Sequence, residues 1–178
     1  VTRPAARVVT LVGNPRPRSR TRAVAALAAE AVAGRIGAAD QEIIDLSALA
    51  VGLVSASPPA AVEKAQQAVL DADVLVVASP TYKGTYTGLL KLFLDRLPGG
   101  ALASAAALPL LVMGDARHAL AVEVHLRPVL VELGAFVPTP GAVLLEAEID
   151  RAGEILDGWA GRVAPQVAAV LGGRSTVA

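Results

Sequence analysis

The chain has 178 residues, 54% of them hydrophobic, which is enough for one domain with a substantial core and too few for two comfortable ones. Its 16 basic residues balance 16 acidic ones, so no overall field draws it to nucleic acid or to a membrane surface, and any electrostatic role is local. It has no cysteine and only two histidines, His118 and His125, so disulfides, thiolate chemistry and a close histidine pair for a metal are all excluded.

Short β-branched runs alternate with longer helical patterns, the mark of βαβ units on a parallel sheet. Val8–Val12 reads as the first strand; GNPRPRSRT and a helix over Ser19–Gly34 follow it. Charge is polarised here: Arg3, Arg7, Arg16, Arg18, Arg20, Arg22 and Arg35 face one acid, Glu30, before residue 36. Next come a strand over Glu42–Leu46, a helix over Pro59–Ala72 and a strand over Val74–Ala78. VLVVAS is apolar on consecutive residues, as a central strand covered on both faces should be. The loop SPTYKGTYTG leads to a helix over Tyr86–Leu97, then a strand over Leu108–Met113. MGDARHA opens a helix over Arg117–Leu133, and a strand near Phe136–Leu144 and a helix over Ile149–Leu171 complete the chain. No apolar run reaches the roughly 18–20 residues that span a bilayer, and the first residues do not read as a leader. The expectation is a cytoplasmic protein forming one domain over residues 1–178, with flexible ends at 1–6 and 172–178.

Five strands alternating with helices predict an α/β three-layer sandwich with the flavodoxin-like strand order 2-1-3-4-5. That order sets strands 1 and 3 side by side, with ligands beyond their carboxyl ends where the winding reverses. The loops after these strands are chemically the most unusual in the chain. The first ends at a helix N-terminus, where free N–H groups and partial positive charge suit a phosphate. Arg16 adds a charged donor, and Asn14, Ser19 and Thr21 add short neutral ones, together a phosphomonoester cradle. Ser19 reads equally as a plain helix cap. Four guanidiniums cannot converge on one phosphate, so Arg18, Arg20 and Arg22 are assigned to solvent ahead of Arg16. Neither GxxxxGK[ST] nor GxGxxG follows strand 1, so a nucleoside triphosphate or a dinucleotide has no motif here.

In the second loop Pro80 ends the ladder and Gly84 permits close backbone approach. A flat ligand fits along residues 81–85 with their N–H groups facing its polar edge. Tyr82 reads either as a loop anchor or as part of that surface. Gly114 in the third loop also permits close approach, while Asp115 reads first as a helix cap and second as a ligand contact. No serine or carboxylate stands at motif spacing from either histidine, so a hydrolytic triad has no support.

GNPRPRS-x-T, ASPTYKGTYTGLLKLFLDRLP and LPLLVMGDARHALAVEVHLRPVL resemble the NAD(P)H-dependent FMN reductase family, especially the reductases of alkanesulfonate-type two-component monooxygenases. The similarity covers about residues 7–145. It implies that Asn14, Arg16, Ser19 and Thr21 bind the FMN phosphate. It places Pro80, Thr81, Tyr82, Lys83 and Gly84 along the isoalloxazine, with Gly114 and Asp115 at the flavin edge. Two departures stand out. Family members commonly carry a second glycine where this chain has Asp115, and the sulfonate-linked reductases carry an extra residue, often tyrosine, where this chain has Val124 and His125.

The activity implied is hydride transfer from the nicotinamide of NADPH or NADH to FMN, with no catalytic side chain and a flavin-dependent monooxygenase as possible recipient. Two alternatives remain: an enzyme that retains FMN and reduces quinones, azo dyes or metal oxyanions, and a flavodoxin-like electron carrier. The helices over 86–97 and 117–133 are too apolar for isolated surface helices, which predicts a homodimer or homotetramer through them. Leu92 and Leu94 lie off the centre of the first helix's stripe, and Pro128 should bend or bulge the second.

Overall fold

All five expected strands are present and parallel, in the order β2-β1-β3-β4-β5. They are β1 (Arg7–Val12), β2 (Asp40–Asp45), β3 (Val74–Pro80), β4 (Ala106–Met113) and β5 (Ala142–Leu145). The structure is a computed structural model and describes residues 6–173; the outermost ends expected to be flexible, 1–5 and 174–178, lie outside the described residues. Helices α1 (Arg20–Ile36), α2 (Ala50–Leu53), α3 (Ala60–Leu70), α4 (Gly88–Leu94), α5 (Arg127–Glu132) and α6 (Ala152–Gly173) pack around the sheet. Among the described residues no helix is long and apolar enough to cross a membrane.

Both faces of the sheet are covered, which is why every residue of β3 and β4 is buried. On one face α1 and α6 close over the sheet. The buried stripe of α1 consists of small residues, Ala25, Ala28, Ala29 and Ala33 with Val24 and Val32, while α6 supplies the bulk, Leu156, Trp159 and Val163. On the other face Val62, Val69, Leu90, Phe93, Leu94, Leu126 and Leu130 fill the second half of the core.

The other expected elements shift by one or two residues at one or both ends, β3 for instance running on to Pro80 past the expected end at Ala78, and four differ for local reasons. The helix expected over Tyr86–Leu97 shrinks to α4, because residues 82–85 form a hairpin turn and Thr87 then caps the helix, its hydroxyl accepting from Leu90 N at 3.2 Å. Leu94 is buried, correcting its placement beside Leu92 as an off-stripe residue. The helix expected over 117–133 divides into a 3-10 turn (Ala116–His118), a π-helical segment (Val122–Leu126) and α5. Pro128 has no N–H to continue the i→i−4 ladder, and just before it the N–H of Arg127 bonds to the carbonyl of Val122, five residues back. This is the bulge expected at Pro128.

The strand expected from Phe136 begins only at Ala142, since Pro138 and Pro140 lack ladder donors; Phe136 makes one isolated bridge to Ala106. At the other end, the stretch from Glu146 to Arg151 is 3-10, and α6 runs through Gly172 and Gly173, which are helical rather than a frayed tail.

The sheet brings the two unusual loops together. Val12 pairs with Ala78 at the carboxyl ends of β1 and β3, and Gly13 N donates to Ala78 O at 2.7 Å. The chain therefore leaves both strands side by side, at the point where the winding direction reverses.

Candidate active site at the carboxyl edge of the sheet

The loop from Gly13 to α1 is held in shape by its own short polar residues. Asn14 is buried; its Nδ2 donates to Thr21 Oγ1 at 3.0 Å and its Oδ1 accepts from Arg16 N at 2.9 Å. Ser19 caps α1, its hydroxyl accepting from Arg22 N at 3.2 Å. Of the cradle residues, Asn14, Ser19 and Thr21 thus build the loop, while the N–H groups of Arg20 and Thr21, at the first two positions of α1, have no intrahelical acceptor.

The four arginines separate by partner. Arg22 lies 3.8 Å from Asp45 and Arg20 Nη2 lies 3.0 Å from Glu146 Oε2. Among the described residues Arg16 and Arg18 have no acidic partner. Arg18 also adopts φ 52°, a left-handed conformation that costs a non-glycine residue about 1–2 kcal/mol. A cleft of about 340 Å³ opens over this loop, with Arg16, Ser19 and Thr21 on one side, Pro80 and Tyr82 on the other, and Glu146 at its wall.

The second loop is a tight hairpin. Tyr82 N donates to Thr85 O at 2.8 Å and Thr85 N to Tyr82 O at 3.4 Å, with Lys83 and Gly84 at φ 55° and 81° between them. Positive φ at both central residues is the type I′ pattern, for which Gly84 is suited and Lys83 is strained. Thr81 N donates to Val112 O at 2.9 Å, extending the pairing of β3 with β4. This corrects the expectation that the N–H groups of residues 81–85 all face a ligand. Those of Thr81, Tyr82 and Thr85 are consumed by the loop itself, leaving Lys83 and Gly84. Tyr82 stays 42% exposed, so it presents a ring to the cleft instead of anchoring the loop in the core.

Thr87 ties the two loops to each other. Its hydroxyl donates to Gly13 O while accepting from Leu90 N, and its own N–H donates to the buried Ser79 Oγ at 3.0 Å. A Cβ on Gly13 would stand 2.6 Å from Leu90 Cβ, so α4 seats directly against the start of the first loop.

In the third loop Asp115 is committed to its own backbone. It accepts from Arg117 N at 2.9 Å and from Arg117 Nε at 2.8 Å. The Arg117 backbone bond, followed by its guanidinium, holds the Asp115 carboxyl below the usual range. Asp115 therefore caps the 3-10 turn, the first of its two readings. Gly114 is exposed, and a Cβ there would meet nothing within 4 Å. His118 approaches the hairpin, its ring 3.7 Å from where a Gly84 Cβ would lie.

Asn14, Arg16, Ser19, Thr21, Pro80 and Tyr82 thus line one cleft, whereas Thr81, Lys83 and Gly84 in the hairpin and Gly114 and Asp115 in the loop after β4 are not among its lining residues. Glu146 lines the cleft unforeseen. It follows β5 directly, so the rule that singled out the loops after strands 1, 3 and 4 reaches it once β5 is carried to Leu145. The joining roles of Ser79 and Thr87 carry no motif and come only from the tertiary fold.

A five-stranded sheet of this order, with its cleft at the reversal point, defines a flavodoxin-like α/β protein. The family model of NADPH-dependent FMN reductase matches residues 6–150, and the chain belongs to that family. The FMN reductase (NADPH) of Escherichia coli (strain K12) is 35% identical over 138 residues, 72% of this chain and 68% of that protein. The FMN reductase (NADPH) of Pseudomonas aeruginosa (strain PAO1) is 34% identical over 143 residues, 76% of this chain and 77% of its own. The solved structure of an NADH:FMN oxidoreductase in its apo form superposes with a TM-score of 0.71 at 33% identity, over 89% of this chain and 90% of that one.

The residues present fit FMN. Two guanidiniums without an acidic partner among the described residues, beside the N-terminus of a 17-residue helix, suit a phosphate dianion. Pro80 and the exposed Tyr82 ring offer a flat apolar wall, and the space beside Gly114 is open to an approaching ring edge.

Proposed function

We propose that the protein works as an NAD(P)H:FMN oxidoreductase whose flavin site is the cleft between the β1 and β3 loops. The observation that carries this reading is the pairing, in one cleft, of Arg16 and Arg18 beside the N-terminus of α1, which have no acidic partner among the described residues, with Pro80 and Tyr82 of the β3 loop. When bound, FMN supplies the redox chemistry, accepting at N5 a hydride from nicotinamide C4. The chain's own part is positional. Arg16 and the N–H groups of Arg20 and Thr21 fix the phosphate; Asn14 and Thr21 hold the loop that presents them. Tyr82 and the strained hairpin at Lys83 and Gly84 set the height of the ring, and Thr87 keeps the two loops in one register. No side chain is assigned a proton transfer.

Reduced FMN is released to a second enzyme, a flavin-dependent monooxygenase being the class that the resemblance of the middle and third motifs supports. The same reading includes a homodimer or homotetramer through residues 86–97 and 117–133, supported by the exposed Leu92, Leu120, Val124 and Val131.

Steady-state oxidation of NADPH and NADH by flavin-stripped protein, with FMN and then a quinone as varied acceptor, tests the reading. Turnover saturating in added FMN is expected. Turnover with quinone that ignores added FMN would transfer the protein to the flavin-retaining class, and no nicotinamide oxidation with either acceptor would leave an electron carrier.

A further inference from the structure

We propose that Glu146 sets how readily FMN leaves, by competing with the flavin phosphate for Arg20 and by standing as a carboxylate in the phosphate cleft. The inference rests on the reading of that cleft as the phosphate site. Glu146 is the sole acidic residue among those lining the cleft, which it shares with Arg16, Arg18 and Arg20. Its Oε2 holds Arg20 Nη2 at 3.0 Å. The side chains of both partners are well exposed, 62% for Arg20 and 43% for Glu146, so the pair contributes little to folding. Its place in the cleft is nevertheless set by the sheet. Met113 pairs with Leu145, and Glu146 is the next residue, so β4 and β5 deliver its backbone to the cleft wall.

Two electrostatic consequences follow for a phosphomonoester dianion entering the cleft. Arg20 has to leave a carboxylate before it can serve the phosphate, so its contribution is reduced by the contact it gives up. The freed carboxylate then remains near the dianion as a like charge, only partly screened inside a cleft of this size. Arg16 and Arg18 still favour the phosphate, so the site binds FMN and does not hold it tightly. A cradle of three free arginines would suit a prosthetic group; one carrying Glu146 suits a flavin that exchanges. Riboflavin, lacking the phosphate, is indifferent to this pair.

The test is a set of fluorescence titrations of FMN and riboflavin, with FMN dissociation rates, on the full chain and on Glu146→Gln, Arg20→Gln, the double variant and Arg16→Ala. Glu146→Gln keeps the side-chain shape and removes the charge. It should tighten FMN roughly ten-fold, the equivalent of about 1.4 kcal/mol, slow FMN dissociation and leave riboflavin unchanged. Adding Arg20→Gln should reverse most of that gain. Unchanged or weaker FMN binding by Glu146→Gln, or an equal gain for riboflavin, overturns the inference. The phosphate-site reading is judged separately by Arg16→Ala. If that variant loses its preference for FMN while Glu146→Gln does nothing, only the role of Glu146 falls. If Arg16→Ala leaves the FMN preference intact, the site reading falls and this inference with it.

Discussion

Replacing Thr87 tests whether the β1 and β3 loops are joined through it, because one hydroxyl makes both the interloop bond and a helix cap. Thr87 is buried, donates to Gly13 O and accepts from Leu90 N at the start of α4. Thr87→Val keeps the branched shape and removes both bonds. Losing an N-cap costs about 0.5–2 kcal/mol, and leaving the buried Gly13 carbonyl unpaired costs about 1–3 kcal/mol. The sum is centred on about 2–4 kcal/mol, which for a chain of this size lowers Tm by about 5–15 °C. Thr87→Ser retains the hydroxyl and should recover most of the loss. Thermal melting followed by circular dichroism, with FMN titration of each variant below its transition, reads both effects. Because the Gly13 carbonyl opens the phosphate loop, the Val variant should also bind FMN more weakly. A Val variant melting within 2 °C (roughly 0.5–1 kcal/mol) of the parent, or a Ser variant as unstable as Val, would show that the Thr87 hydroxyl does not join the loops.

Arg16→Ala should weaken FMN by about 1.5–3 kcal/mol, the value of a charge-assisted hydrogen bond, and leave riboflavin unchanged; equal losses for both flavins would remove Arg16 from the phosphate. Glu123 ties the π-helical segment to the loop before β5, accepting from Arg127 Nε and from Gly141 N, the latter at 2.7 Å. The Arg127 hydrogen bond, and after it the Gly141 N–H, lower its pKa. A lowered folded-state pKa means stability present above the ordinary glutamate value and lost as pH falls through the folded one. Stability should therefore decline in the acid range below about pH 4.5, and Glu123→Gln should be less stable at neutral pH with a shallower acid decline; parallel curves for the two proteins would exclude this. Light scattering at micromolar concentration should find a dimer or tetramer that Leu92→Glu or Val124→Glu disrupts, and a monodisperse monomer near 18.0 kDa would refute the assembly.

Where periodicity and topology act alone, the sequence reads well. The unbroken apolar run of β3 announces a central strand, and the reversal point between strands 1 and 3 follows from the strand order without any side-chain knowledge. The loop residues were found by the same rule, since GNPRPRSRT and SPTYKGTYTG stand at the carboxyl ends of those strands. Tertiary pairing was not visible. Thr81 loses its N–H to Val112 across the sheet, and the fate of Asp115 is settled by a local contest that Arg117 wins. Glu146 is not legible in the sequence because a strand boundary shifted by one residue decides whether a side chain belongs to the sheet edge or to the following turn. The division of the fourth long helix was half legible. Pro128 marks where the ladder must fail, but the choice of a π-helical repair depends on Glu123 and Arg127 finding partners at Gly141, Val137 and Pro138, far along the chain.

In the function proposed above, this cleft brings a nicotinamide and FMN together for hydride transfer. Anaerobic stopped-flow mixing of the FMN-loaded protein with NADPH, and separately with NADH, tests it most directly. Bleaching of the oxidised-flavin band near about 450 nm, a property of the cofactor, should occur with at least one nicotinamide, and Arg16→Ala should need more FMN to show it. A flavin that remains bound and oxidised in the presence of both nicotinamides would contradict the account.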